Sequence, residues 1–356
     1  MSLRTVHPAP GAEGPRPDHQ ARRGGSVEAH VPGAPLGVLA VLAVFVGLVL
    51  TAFVLPAIHS APRDVPLGVA GPATVVAQVT GALSAKAPGA FTTSAYTDEA
   101  ALVQAIKDRD VYGGIAVSAG GPKVLTASGG SPAVAQVLSS LAAGLGAEQG
   151  RAVPVTDVVA PPVGDPRGAG LATAVLPLLI GSIAPVAAMR RVVRGPWRRL
   201  LGVLSSAVTL GVTLAGLLLW FGVVDSFLLP AAGLSLALAA MSTTLLGLAA
   251  LAGWPGLGLG ASTFLLLGNP LSGIQTAPEF VPAGWSVVGQ LLPPGAAGQV
   301  LRSDFYFGGV GATRSALVLV AWVGLGLVLV AVGAARAVRT EPTERDAGAA
   351  RVVETG

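Results

Sequence analysis

Six stretches of this chain carry no charged residue: Leu36–Ile58, Ala169–Met189, Leu200–Val224, Ser226–Gly253, Gly256–Pro278 and Ser315–Ala335. A helix needs about 20 mostly apolar residues to cross a hydrocarbon core of roughly 30 Å, and each stretch reaches that length. Lipid offers no water to a free backbone N–H or C=O, so a crossing segment must close its own hydrogen bonds, as a helix does. A mean hydropathy of +0.70 with 11% charged residues excludes a soluble chain. The pattern predicts an α-helical polytopic membrane protein with six transmembrane helices. A small extracytoplasmic α/β domain is expected between helices 1 and 2.

The placement of arginine sets the orientation. A formal charge of +4 and a pI near 10 would suit a nucleic-acid binder, but the cations are not spread over one surface. Arg4, Arg16, Arg22 and Arg23 precede the first stretch. Arg190, Arg191, Arg194, Arg198 and Arg199 crowd one short loop, and Arg336, Arg339, Arg345 and Arg351 follow the last stretch. Arg-rich short loops stay cytoplasmic, so all three clusters are expected inside, with both termini, and no nucleic-acid partner is implied. Arg outnumbers Lys 19 to 3 beside 49 Gly, a balance that looks like a high-GC bacterial genome, so the expected location of the spans is a bacterial plasma membrane. The first apolar run is 23 residues, against about 7–15 for a signal-peptide core, so it is read as a retained span. The absence of cysteine excludes disulfides, thiolate metal sites and a Cys nucleophile.

Five regions follow. Residues 1–34 and 336–356 are polar tails expected to be disordered and cytoplasmic, and 35–58 is the first span. Residues 59–168 mix seven Lys/Arg with eight Asp/Glu and read as the extracytoplasmic domain, while 169–335 holds the five remaining spans. Within 59–168, strands are expected at Val65–Ala70, Ala90–Tyr96, Val111–Ser118, Lys123–Ala127 and Val153–Val159. Helices are expected at Ala73–Lys86, Asp98–Asp108 and Pro132–Gln149, from apolar residues at helical spacing. Thr97 is the expected N-cap of the second helix, and Gly120-Gly121 a tight turn. The order βαβαββαβ predicts a small α/β sandwich.

In the membrane part, Pro177 and Pro185 should bend the second span. From Ser226 to Pro278 there are 53 residues without charge, which suits two spans folded at Trp254-Pro255-Gly256. Gly256, Gly258, Gly260 and Gly268 weaken the fifth, and Asn269-Pro270 should interrupt it, giving a broken or re-entrant segment. Residues 276–312 form a Pro/Gly-rich outer segment. There Trp285, Phe305, Tyr306 and Phe307 suit a membrane interface, and Arg302, Asp304 and Arg314 should lie near water.

Catalytic signatures are lacking. There is no Gly-x-x-x-x-Gly-Lys-Ser/Thr phosphate loop and no Gly-x-Ser-x-Gly elbow. His7, His19, His30 and His59 have no second ligand at metal spacing. Asp108 and Asp110 flank Arg109 and read as a solvated charge run. No enzyme activity, metal or cofactor is therefore expected. Ser205, Ser206, Thr209 and Thr213 on the third span, and Ser242, Thr243 and Thr244 on the fourth, serve either helix-to-helix hydrogen bonding or a substrate path. Gly202-x-x-x-Ser206, Gly211-x-x-x-Ala215 and Gly256-x-x-x-Gly260 permit close helix approach. The Arg190–Arg199 loop, with Pro196-Trp197 inside it, could set topology, attract anionic lipid headgroups or dock a cytoplasmic partner.

Several local sequences carry a family resemblance: Ala52-Phe53-Val54-Leu55-Pro56, Pro66-Leu67-Gly68-Val69-Ala70, Asp110-Val111-Tyr112-Gly113-Gly114 and Leu176-Pro177-Leu178-Leu179-Ile180-Gly181. So do Gly268-Asn269-Pro270-Leu271-Ser272-Gly273, Trp285, and Leu291-Leu292-Pro293-Pro294-Gly295. Over about 36–335 the chain resembles ABC-2-type exporter permeases, within them the phage-infection-protein-like subgroup of bacterial membrane proteins. The resemblance implies a permease that pairs, as a homodimer or with a second permease, and is driven by a separate cytoplasmic ATP-binding subunit. That subunit would dock on the loop holding Arg190, Arg191, Arg194, Trp197, Arg198 and Arg199. Asn269, Pro270, Ser272, Gly273, Trp285, Pro293 and Pro294 would shape the outer gate. The family's amphipathic helix before the first span has no counterpart in 1–34. A second reading, a non-transporting anchor or receptor whose outer domain binds a surface partner, therefore stays open.

Overall fold

The computed structural model describes residues 61–354 except 275 and 283, and scattered positions between 37 and 58 that are helical. The 1–34 tail and most of the first expected span lie outside the described residues.

The α/β region begins with β1 (Val65–Ala70), α1 (Ala73–Lys86), β2 (Phe91–Tyr96), α2 (Glu99–Lys107), β3 (Gly113–Ser118) and β4 (Gly121–Thr126). It ends with α3 (Pro132–Gln149) and β5 (Val155–Asp157). The sheet order is β2-β1-β3-β4-β5, with β3 and β4 antiparallel and the other pairs parallel. Local chemistry explains the boundaries. Asp98, not Thr97, caps α2: its Oδ1 accepts from Ala101 N at 2.9 Å, because a carboxylate one residue nearer satisfies the free N–H better than the expected hydroxyl. Ser131 caps α3 ahead of Pro132, and Gly150 ends it at φ 63°. The central strands β1, β3 and β4 bury residues on both faces. Val65, Leu67, Ile115 and Val124 pack with Val134 and Leu138 of α3, and Ala70, Ala116 and Leu125 pack with Leu102 and Ile106 of α2.

The helical part comprises α4 (Ala169–Val192), α5 (Pro196–Trp220), α6 (Leu228–Thr263), α7 (Trp285–Leu291), α8 (Pro293–Tyr306) and α9 (Thr313–Glu354). After α6 the chain continues as a π-helical stretch, Phe264–Gly268, and a last turn, Asn269–Leu271. Four helices are long and apolar enough to cross a membrane: Ala169–Val192, Pro196–Trp220, Leu228–Leu271 and Thr313–Val338. By length and composition this is a membrane protein.

Leu228–Leu271 folds back on itself. Gly253 adopts φ 67° and ψ −144° inside α6, a conformation that glycine alone adopts without strain. A β-carbon on Gly260 would lie 2.7 Å from the Leu248 side chain and 2.8 Å from that of Leu245. A straight helix would hold Gly260 and Leu248 roughly 18 Å apart, so the two legs lie side by side. Pro270 does not break the second leg as expected. The wider π turn precedes it and absorbs the hydrogen bond and the space that proline denies the helix.

The first leg of α6 is the centre of the bundle. Across its apolar window 67% is buried, against 28%, 28% and 22% for α4, α5 and α9. The helices α4, α5, α8 and α9 all pack on it. Small residues set the spacing: a β-carbon on Gly326 of α9 would fall 2.5 Å from Thr243 C, and one on Gly333 would fall 2.7 Å from Ala250 Cβ. Ser206, Thr213, Thr243 and Thr244 donate to carbonyls four residues back in their own helices, and Thr244 also reaches Trp322 O at 3.2 Å.

Two expectations change at the ends. The sequence predicts a disordered tail from 336, but α9 continues to Glu354, through a run in which Ala, Arg and Glu, all strong helix formers, predominate. The Arg190–Arg199 loop shrinks to 193–195, because both flanking helices extend into it.

Replacing Gly326 by Ala should overpack the contact between α6 and α9 and cost about 1–3 kcal/mol, measured as a lower melting temperature in detergent. Gly324→Ala, where a β-carbon meets nothing within 4 Å, should melt with the native protein.

Candidate functional site

Two places gather side chains that sequence reasoning singled out or overlooked. At one end of the bundle, Arg190 and Arg191 occupy the last turn of α4, Arg194 the short link, and Trp197, Arg198 and Arg199 the first turn of α5. The six divide by role. Arg199 Nε donates to Val193 O at 2.8 Å, placing a cation at the carbonyl end of α4. Arg190 donates to Ala249 O of α6. The guanidinium groups of Arg190 and Arg191 each lie 5.4 Å from the Trp254 ring centre, within cation–π range. The fold-back at Gly253 therefore sits at the same end of the bundle as the arginines. Arg194, Arg198 and Trp197 are exposed, the indole by 56%.

The expected gate residues lie on the other side of the fold. Asn269 and Pro270 remain helical. Ser272 Oγ donates to Asn269 O at 2.7 Å, while Ser272 O accepts from Gln290 Nε2 at 2.8 Å. Gly273 turns at φ 65°. Pro293 and Pro294 start α8 and are buried, with Pro294 against Gly268. Trp285 opens α7 and is 50% exposed.

This segment joins the α/β region. Ala277 and Phe280 enter the apolar cluster on one face of the sheet, and Phe307 the cluster on the other. Polar contacts reinforce the joint. Arg63 N donates to Glu279 O at 3.1 Å, Tyr112 Oη to Glu279 Oε2 at 2.9 Å, and Ser131 Oγ to Thr276 O at 2.6 Å. Arg109 donates to Gln299 Oε1 at 2.9 Å and to Ser303 Oγ, and its guanidinium lies 5.1 Å from the Phe307 ring.

The sequence placed these groups in water, and the structure does not. Arg302 is 1% exposed and Asp304 7%, because α8 opens with Gly295-Ala296-Ala297-Gly298 and is small enough to be enclosed along its length. Arg109 is not part of a solvated run but reaches across to α8 at φ 65°. Phe305 and Phe307 pack in protein rather than at a lipid interface. A run of small residues before Arg302 was the available sign that this helix packs closely.

Burial sets the electrostatics. It pulls the Arg109 and Arg302 guanidinium pKa values down, and the Arg302 charge adds to the lowering at Arg109. Burial, then the Glu279 charge, pushes the Tyr112 hydroxyl up. Among the described residues no group of three or more His, Cys, Asp or Glu could hold a metal.

Burial pushes the Asp304 carboxyl up from its ordinary 3.8 to about 6. The folded state then holds that proton more tightly than the unfolded chain, so stability falls as pH rises from about 4 to about 6 and stays lower above it. Asp304→Asn should therefore stabilise the protein at pH 7.5 by about 1–2 kcal/mol, with the gain vanishing near pH 4. Thermal denaturation in detergent at both pH values checks this.

Comparison of the chain with protein-family models, with curated proteins and with solved structures finds no match in any of the three.

Proposed function

We propose that this chain is the permease subunit of an ABC-2-type exporter, moving an apolar or amphiphilic substrate out of a bacterial cell with energy from a separate ATPase. In this reading the chain crosses the plasma membrane six times: at Leu36–Ile58, along α4 and α5, along both legs of α6, and along α9. Both termini and the 193–195 link face the cytoplasm, and the α/β region faces outside. Exposed apolar side chains such as Leu176, Ile180, Val208, Leu317 and Val328 meet lipid or a paired permease. The protein performs no covalent chemistry of its own.

The observation that carries the reading is the basic end of the bundle. Arg194, Trp197 and Arg198 offer an exposed cationic and aromatic surface, and Arg190 and Arg191 tie the same corner to Trp254 at the α6 fold-back. A push on the link would reach α4, α5 and both legs of α6 together. An acidic groove on a partner ATPase would complement that surface.

A second reading, a non-transporting anchor or receptor, has its own support. The strand β2 lies at the edge of the sheet with alternate residues exposed, an edge open to strand addition by a surface partner.

Arg194→Glu combined with Arg198→Glu should abolish co-purification of the ATPase while leaving the melting temperature within about 1 °C of native, as surface changes usually do. Retained ATPase would remove docking from this corner. Reporter fusions after residues 120 and 194 should report opposite sides of the membrane, and the same side for both would end the six-span reading.

A further inference from the structure

Arg302 is the most buried cation of the described protein and the least satisfied. Its Nη2 donates to Ile274 O at 2.6 Å, while Nε and Nη1 have no partner. The ion pairs Lys86–Glu148 and Lys123–Glu99 lie elsewhere. Glu279, the acid that acts on Arg302, is engaged by the Tyr112 hydroxyl, and Arg109 adds a second positive charge nearby. A guanidinium stays protonated in proteins, and leaving such a charge buried and unpaired is costly.

Arg302 is also one of the residues that line a cavity of about 220 Å³ between the α/β region and the start of α4. Tyr306, whose hydroxyl oxygen faces the Leu171 backbone N–H while its proton has no acceptor, and the exposed Arg167 share that lining with Ser128, and Leu171 and Ile274 supply an apolar part. A water takes about 10–15 Å³ of such volume, so a polyatomic anion fits with several waters. We propose that this cavity binds a phosphate oxyanion, with Arg302 and Arg167 as cationic donors and the Tyr306 hydroxyl as a neutral one. Two guanidinium groups match the geometry and charge of phosphate better than those of any neutral ligand. The anion would come either as a phospholipid headgroup, its chains against the apolar part, or as free phosphate. The proposal concerns binding alone and does not rest on export.

The test uses the full-length protein, purified in a non-ionic detergent and freed of lipid. Melting temperature is followed against inorganic phosphate, with chloride at matched ionic strength as the control. In parallel it is followed against mixed micelles holding phosphatidylglycerol or diacylglycerol. A saturable rise with phosphate assigns a soluble anion, and a rise with phosphatidylglycerol alone assigns a lipid headgroup. Either supports the proposal if Arg302→Gln and Arg167→Gln each weaken the apparent affinity at least tenfold. No rise with either probe, or a rise that both variants keep, overturns it. Should Arg302→Gln fail to fold, the exposed Arg167→Gln decides alone. None of these readouts involves an ATPase, so failure here and failure of the export reading are distinguishable.

Discussion

The described helical bundle depends on how closely its helices approach the first leg of α6. Between apolar helices in lipid there is no hydrophobic gain to drive association, so van der Waals contact and a few hydrogen bonds must supply it. Glycine makes that contact possible. Gly326 and Gly333 of α9, one heptad apart, lie against Thr243 and Ala250, and Gly211 of α5 lies against Ser235. With backbones this near, Thr244 can reach from its own helix to Trp322 O. The central leg can then be buried on all sides without a charge, while α4, α5 and α9 keep apolar faces outward.

At the joint with the α/β region the logic reverses. Contact there is made by polar side chains crossing between elements far apart in sequence, such as Arg109 to Gln299 and Tyr112 to Glu279. Apolar residues from 277 to 307 also enter both faces of the sheet's core. The two parts are thus fastened by shared cores as well as hydrogen bonds. A movement of α8 would have to disturb the sheet.

Much of the fold was legible because short-range rules govern it. The strand Val65–Ala70 and the helices Ala73–Lys86 and Pro132–Gln149 begin and end where their apolar spacing, caps and breakers predict. The fold at Trp254-Pro255-Gly256 was readable from 53 residues without charge, too many for one crossing. The turn itself forms one residue earlier, at Gly253, because that glycine takes the positive φ. The arginine cluster was visible as a cluster, but not its division into Arg190 and Arg199, which hold helices in place, and Arg194 and Arg198, which face outward.

Uncharged length, a property of consecutive residues, determined from sequence alone that this chain belongs in a membrane and where α4, α5, α6 and α9 lie. Only the tertiary structure decided which charges are buried. Arg302 and Asp304 look like water-seeking residues in their own neighbourhood, and nothing within a few positions says otherwise. Their burial comes from α8 being enclosed by the bundle and the α/β region together, and such enclosure depends on segments separated by well over a hundred residues. Local pattern cannot report it, because solvation belongs to the assembled surface rather than to the residue.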